Sequence, residues 1–226
     1  MRCVNLGFCV ILLCVILGIV ETSSGSVEDV NTLIDRIQAN YDRTPALTAE
    51  FIQVATLTSI DRQQTSAGRL YIEKPHHIRW EYIQPDSQTI LYDGNTLRIY
   101  TPRRRQVLQS KIDEDNRRNV ALLFLAGVGK LRETFTISLL PNTQTGSRSL
   151  RLLPDSPQAS FTELQIVVNA QNYFIEYLII HDTIGNITEI RLEALQTHAA
   201  LPSQTFELSL PPDTEVLTPT DFSGQK

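Results

Sequence analysis

The side chains able to do chemistry are few in this chain, and none stands in a spacing that chemistry needs. Cys3, Cys9 and Cys14 are the only cysteines and crowd into the N-terminus, so the rest of the chain offers no thiol nucleophile. No Gly-x-Ser-x-Gly elbow presents a serine. His181-Asp182 is the only adjacent histidine–carboxylate pair. Neighbours on a strand point to opposite faces, so it reads as a strand end entering the Ile184-Gly185-Asn186 turn. His76-His77 has the same geometry and does not converge on one metal ion. Asp113-Glu114-Asp115 lacks the alternating oxygen ligands of a calcium loop and reads as favourable charge ahead of a helix. Arg98 and Lys111 have no motif around them, and no glycine-rich phosphate cradle occurs. Asn186-Ile187-Thr188 matches the N-glycosylation pattern, which matters only in a eukaryotic secretory route. No catalytic, metal or cofactor site is expected.

The bulk charge excludes another class. A net charge of −5 and a pI near 5.4 argue against a general phosphate-binding surface, so no nucleic-acid partner is expected. Arg103-Arg104-Arg105 and Arg117-Arg118 are local exceptions. They read as a solvated turn and a helix approach, with a landing site for a partner or an anionic headgroup as the other reading.

The first 24 residues read as a secretory signal. Arg2 supplies a minimal positive start, Val4 to Val20 is apolar apart from Asn5 and two glycines, and Glu21 to Ser26 is polar or small, with cleavage expected near Ser24 or Gly25. The run is long for such a segment, so an uncleaved anchor is the alternative. Cys14 follows Leu13 rather than a small residue, and the apolar stretch continues past it, against lipid attachment. The exported chain, residues 25–226, then holds no disulfide framework. It has no repeat, linker or composition shift and reads as one domain.

The elements that must position any site come next. Ser26-Val27-Glu28-Asp29 resembles a capping box. Val27, Val30, Leu33, Ile34, Ile37 and Tyr41 then recur at helical spacing, predicting an amphipathic helix of about four turns ended by Thr44-Pro45. From Leu47 the period becomes two. Strands are expected at 47–58, 66–74, 77–84, 88–93, 96–101, 105–110, 134–140, 148–153, 161–168, 173–182, 186–195 and 203–210, with a loosely held polar tail after Pro212. Asp93-Gly94-Asn95 is a tight hairpin signal. Val120 to Ala126 is helix-prone and apolar on every side, which suits a lid dipping into a pocket and an ordinary core helix equally.

One face concentrates apolar bulk. Leu70 and Ile72 alternate on one strand, Ile78, Trp80 and Tyr82 on the next, and Phe51 shares its face with Leu47 and Ala49. A curled antiparallel sheet with this face inward can enclose a ligand cavity. Acyl chains gain about 0.8 kcal/mol per buried CH₂, so such a pocket competes with a membrane and needs no reactive residue.

An ordered series of motifs resembles the LolA family of periplasmic outer-membrane lipoprotein carriers over nearly the whole exported chain. It runs through Leu47-Thr48-Ala49-Glu50-Phe51-Ile52-Gln53, Gly68-x-Leu70, Lys74-Pro75, Arg79-Trp80-Glu81-Tyr82, Pro85 and Tyr92-Asp93-Gly94-Asn95-Thr96-Leu97-x-Ile99-Tyr100. Weaker matches are Leu150-x-Leu152-x-Pro154, Asp182-x-x-Gly185-Asn186-x-Thr188-x-Ile190, and Phe206 with Pro211-Pro212. The resemblance implies a mainly β fold with some helix: an unclosed antiparallel β-barrel of about 10–12 strands with a helical lid over a hydrophobic cavity. It implies a monomeric carrier without cofactor or enzyme activity. Such a carrier takes acylated lipoproteins from an inner-membrane lipoprotein-releasing ABC transporter to an outer-membrane acceptor. The cavity and its mouth would comprise Phe51, Leu70, Ile72, Lys74, Ile78, Trp80 and Tyr82, with Leu122, Leu123 and Phe124 in the lid. Lys74 and Ile78 depart from the family pattern, which has a functionally important basic residue before the proline and an aromatic four positions on. Lysine keeps the charge but loses the bidentate fork of arginine. The alternative use of such a cavity is as a carrier or sensor of another lipid or glycolipid of the bacterial envelope.

Overall fold

Period-two alternation builds a single twelve-stranded sheet. The computed structural model describes residues 29–112, 131–141, 145–157 and 160–218. The signal segment, the Ser26 cap, Asp113 to Asp115, Arg117-Arg118 and the helix expected over Val120 to Ala126, with Leu122, Leu123 and Phe124, lie outside these residues. The strands are β1 (Ala46–Leu57), β2 (Arg62–Glu73), β3 (His77–Gln84), β4 (Gln88–Asp93), β5 (Thr96–Thr101) and β6 (Gln106–Lys111), then β7 (Phe135–Leu140), β8 (Ser147–Pro154), β9 (Glu163–Asn169), β10 (Ile175–His181), β11 (Ile187–His198) and β12 (Glu215–Leu217). Their order is β12-β6-β5-β4-β3-β2-β1-β11-β10-β9-β8-β7. Every neighbouring pair is antiparallel except β12 on β6. The edges β7 and β12 do not pair with each other, so the sheet is unclosed, as expected.

Register puts the apolar positions on one face. Phe51 stands opposite Gly68 and Leu192, and Leu70 opposite Ala49 and Trp80. On the other half, Ile190, Leu178, Ile166 and Leu150 form one cross-strand row. Cross-strand neighbours share a face and pack side by side. The row residues are under 10% exposed and form one cluster with Leu33, Ile34, Ile37 and Tyr41.

Those last four belong to helix α1 (Val30–Asp42), whose apolar stripe at i, i+1, i+4 and i+8 faces the sheet. Its N-cap residue is Asp29, which makes no side-chain capping bond. Thr44 ends it by donating from its hydroxyl to Asn40 O and its N–H to Tyr41 O, and Pro45 cannot continue the ladder. Toward its N-terminus α1 is tied to the short helix α2 (Leu131–Thr134), where Arg132 donates to Asn31 O and pairs with Asp35 at 2.8 Å.

Two expectations near the C-terminus are overturned. Residues 203–210 form no strand: Ser203–Phe206 is a 3-10 turn. The carbonyls of Thr205 and Glu207, which a strand neighbour would have taken, accept from Arg79 on β3. The tail after Pro212 is also held, since Glu215–Leu217 pairs with β6 and Arg105 ion-pairs with Asp213. Together these residues form a strap across the outer face of β2 to β6, tied by Leu201 N–H to Glu73 and by the Phe206 ring, tilted against that of His77 at 5.1 Å. Leu91 and Val107 point to that outer face, yet are 2% and 1% exposed; Leu91 stands opposite Arg79, which holds the strap's carbonyls, and Val107 opposite Val216.

Candidate functional site

The aromatic face is built around a glycine. The Phe51 ring lies 4.7 Å from the Trp80 ring and 5.0 Å from that of Tyr82. It lies over Gly68, where a Cβ would come within 1.9 Å of Glu81 O and 2.9 Å of Phe51 Cε1. Only a residue without a side chain lets β2, β3 and the ring approach this closely. Tyr82 donates from its hydroxyl to Gln53 Oε1 at 2.9 Å. Burial pushes its phenol up to about 12.

The structure brings Phe51, Leu70, Ile72, Ile78, Trp80 and Tyr82 onto one contiguous face. The first five are buried and Tyr82 half-buried, so these side chains are packed against one another. Lys74, at the turn after β2, reaches a different neighbour: its ammonium donates to the Tyr41 carbonyl in the last turn of α1. A cation there adds a second donor to a carbonyl that already accepts the Thr44 N–H, and it complements the helix dipole. Burial lowers the Lys74 pKa, and the Asp42 carboxylate works in the opposite direction.

Tyr41, which periodicity places only in a helix stripe, has a larger part. Its ring meets Phe174 edge-on at 5.5 Å and its hydroxyl accepts the Ile175 N–H at 3.1 Å. Burial pushes its pKa up to about 12, with the Ile175 bond opposing. At this point β10 leaves β11. The two strands pair only from Tyr177 opposite Arg191 to His181 opposite Ile187, while β11 continues beside β1 to His198 opposite Ala46. A register shift between Ile175 and Tyr177 turns β10 toward β9, and Ala194 takes a left-handed φ of 49°. The strands therefore splay.

The splay opens a recess of about 820 Å³. One wall is Phe174 to Tyr177, the other Arg191 to Leu195 with Thr197, and Leu140 and Val167 extend it across β7 and β9. Arg191 lies over the Tyr177 ring at 5.9 Å, and Tyr177 donates to Glu189 at 2.7 Å. Alternation in the sequence gives equal strands at 173–182 and 186–195 and so no signal of this recess; in the structure β11 has twelve residues and β10 seven, and part of β11 lacks a neighbour.

Among the described residues no group of three or more histidine, cysteine or carboxylate side chains could hold a metal ion, and no helix is long and apolar enough to cross a membrane. What the arrangement offers is apolar surface of defined shape.

The model of one family, described as outer membrane lipoprotein carrier protein LolA, matches residues 42–209. A protein of Cupriavidus pinatubonensis named outer-membrane lipoprotein carrier protein is 30% identical over 153 residues, covering 68% of this chain and 70% of its own. One of the same name from Methylobacillus flagellatus is 23% identical over 184 residues, covering 81% and 88%. Among solved structures, an uncharacterized conserved protein from Thermus thermophilus superposes with a TM-score of 0.54 at 11% identity, over 83% of this chain and 98% of that one. That likeness is one of fold.

Proposed function

The chain belongs to the outer-membrane lipoprotein carrier family, and from this membership we propose that it binds the acyl chains of lipoproteins and carries them through the periplasm. The observation that carries the reading is that the matched residues, 42–209, contain the whole apolar face from Phe51 to Tyr82. Function here is binding, not catalysis. Cargo would be taken from an inner-membrane lipoprotein-releasing transporter and given to an outer-membrane acceptor.

Physically, Phe51, Leu70, Ile72, Ile78, Trp80 and Tyr82 satisfy one another when no cargo is bound. Acyl chains enter by exchanging these side-chain contacts for equivalent ones, at a gain of about 0.8 kcal/mol per CH₂ taken from water. Lys74 anchors the end of α1 next to this face, so it controls how far the helix can shift. Trp80 is the only tryptophan and therefore reports occupancy by its fluorescence.

The test is release from spheroplasts lacking their own carrier. Residues 25–226 are added and the medium is probed for soluble acylated lipoprotein. A one-to-one complex with the added protein is the expected result. A folded protein that releases none, and whose Trp80 emission ignores triacylated lipopeptide, refutes the proposal.

A further inference from the structure

The recess between β10 and β11 has one property that a greasy pocket does not need. Its β11 wall is made by residues next to one another in sequence: Leu192, Glu193, Ala194 and Leu195, then Thr197. Ala194, with its left-handed φ of 49°, and Leu195 form a bulge where the register with β1 shifts; on either side of it consecutive residues point to alternate faces, so the wall they share is the strand's backbone edge. Leu192, Glu193, Gln196, Thr197 and His198 pair with β1 on one side, with Ala194-Leu195 bulged between them, and β10 pairs with no β11 residue beyond Arg191. Among the described residues no backbone hydrogen bond reaches the other side. Across the gap, the Ile175 N–H is already held by Tyr41. The open edge thus belongs to β11 alone.

An acyl chain laid here would cover these N–H and C=O groups without pairing them, and an unpaired buried peptide group is destabilising. An extended peptide pairs them as an added strand. The edge runs from Leu192 to His198 with the Ala194-Leu195 bulge inside it, and an added strand would follow it across the bulge as β1 does on the other side. The recess volume of about 820 Å³ lies within the usual range for ligand sites, roughly 300–1,000 Å³. Phe174, Tyr177 and Leu195 supply half-buried apolar surface for alternate side chains, while Arg191, Glu176 and Glu193 bring both signs of charge.

We propose that the β10–β11 gap receives an extended peptide segment of the cargo, added as a strand on residues 192–198. This rests on the carrier reading: an acylated cargo trails polypeptide from its lipid anchor, and that polypeptide is the occupant. Lipid and peptide then bind at separate places, the apolar face and the β11 edge.

Hydrogen exchange on residues 25–226 tests this with two probes. One is a synthetic cysteine amide carrying three palmitoyl chains, and the other is the same triacyl cysteine followed by a nine-residue peptide. Trp80 fluorescence reports lipid binding for both. The amides of 192–198 that face away from β1 should exchange fast in the free protein. They should slow at least tenfold with the long probe and stay fast with the short one. Equal slowing by both probes would make the recess an acyl site and overturn the proposal. Binding of the long probe without slowing would also overturn it, while leaving the carrier reading intact. Slowing that rises with protein concentration in the absence of probe would assign the edge to a second copy of the chain, again overturning it. If neither probe binds at all, the carrier reading fails and takes this inference with it.

Discussion

Replacing Tyr41 by phenylalanine removes one oxygen and leaves the ring that meets Phe174 at 5.5 Å. The Ile175 N–H, held at 3.1 Å by that oxygen in a buried setting, loses its acceptor. Leaving a buried donor unpaired costs about 1–3 kcal/mol, so Tyr41→Phe should be less stable by about 2 kcal/mol at pH 7. With a urea slope of about 2 kcal/mol/M, the midpoint falls by about 1 M. The pH dependence gives a second, independent signature. The Tyr41 phenol is raised from 10.0 to about 12 in the folded state. A raised folded pKa means that the stabilisation is complete below the unfolded value of 10 and is lost as pH climbs through 12. At pH 11 the unfolded chain has largely released this proton and the folded protein has largely kept it. The wild type has then lost about 1.4 kcal/mol, the free energy of a tenfold change in proton binding. Phenylalanine has nothing to lose, so the gap between the two proteins should shrink from about 2 to about 0.6 kcal/mol. Tyr82 and Tyr177 are raised as well, but both occur in both proteins and cancel. Urea melts at pH 7 and pH 11 provide the comparison. A gap below about 0.5 kcal/mol at pH 7 would refute the hydrogen bond as the source of stability, and one that stays constant to pH 11 would refute the raised phenol pKa.

Gly68→Ala should destabilise by about 3 kcal/mol or prevent folding, because its Cβ meets Glu81 O at 1.9 Å and the β2–β3 ladder must part; an unchanged urea midpoint would contradict the packing. Lys74→Leu removes the cation on the Tyr41 carbonyl, which at this partly exposed site should lower stability by about 1 kcal/mol. In the spheroplast assay it should also disturb transfer, and Lys74→Arg should restore both. A chain ending at Leu201 uncovers Leu91 and Val107, each worth about 1.5–3 kcal/mol when buried, so its thermal midpoint should drop while the sheet's far-ultraviolet circular dichroism persists. Ala194→Gly relieves a left-handed φ of 49°, a conformation costing roughly 1–2 kcal/mol for an L residue. After the extra chain entropy of glycine it should be neutral to mildly stabilising, and a loss above about 1 kcal/mol would show that the alanine methyl packs.

Much of the sheet was legible because its causes are local. The strands at 77–84, 88–93 and 96–101 have the boundaries that alternation predicts. The Asp93-Gly94-Asn95 turn forms as its residues dictate, with Gly94 at φ 100° and Asp93 accepting the Asn95 and Thr96 N–H groups. The strand expected at 203–210 failed for an instructive reason. Alternating side chains describe an extended backbone and do not say whether its carbonyls meet a neighbouring strand or, as here, the guanidinium of Arg79.

What the sequence by itself determined is therefore the alternation, the turns, and which side chains of one strand share a face: Leu70 with Ile72, Ile78 with Trp80 and Tyr82, and Phe51 with Leu47 and Ala49. Tertiary structure decided the rest: that these side chains close on one another around Gly68, that Lys74 reaches Tyr41 across 33 positions, and that β10 leaves β11 to expose an edge. Each of these depends on where distant segments meet. Periodicity reports only which way a residue points, whereas a partner is chosen by packing and hydrogen bonding summed over the whole sheet.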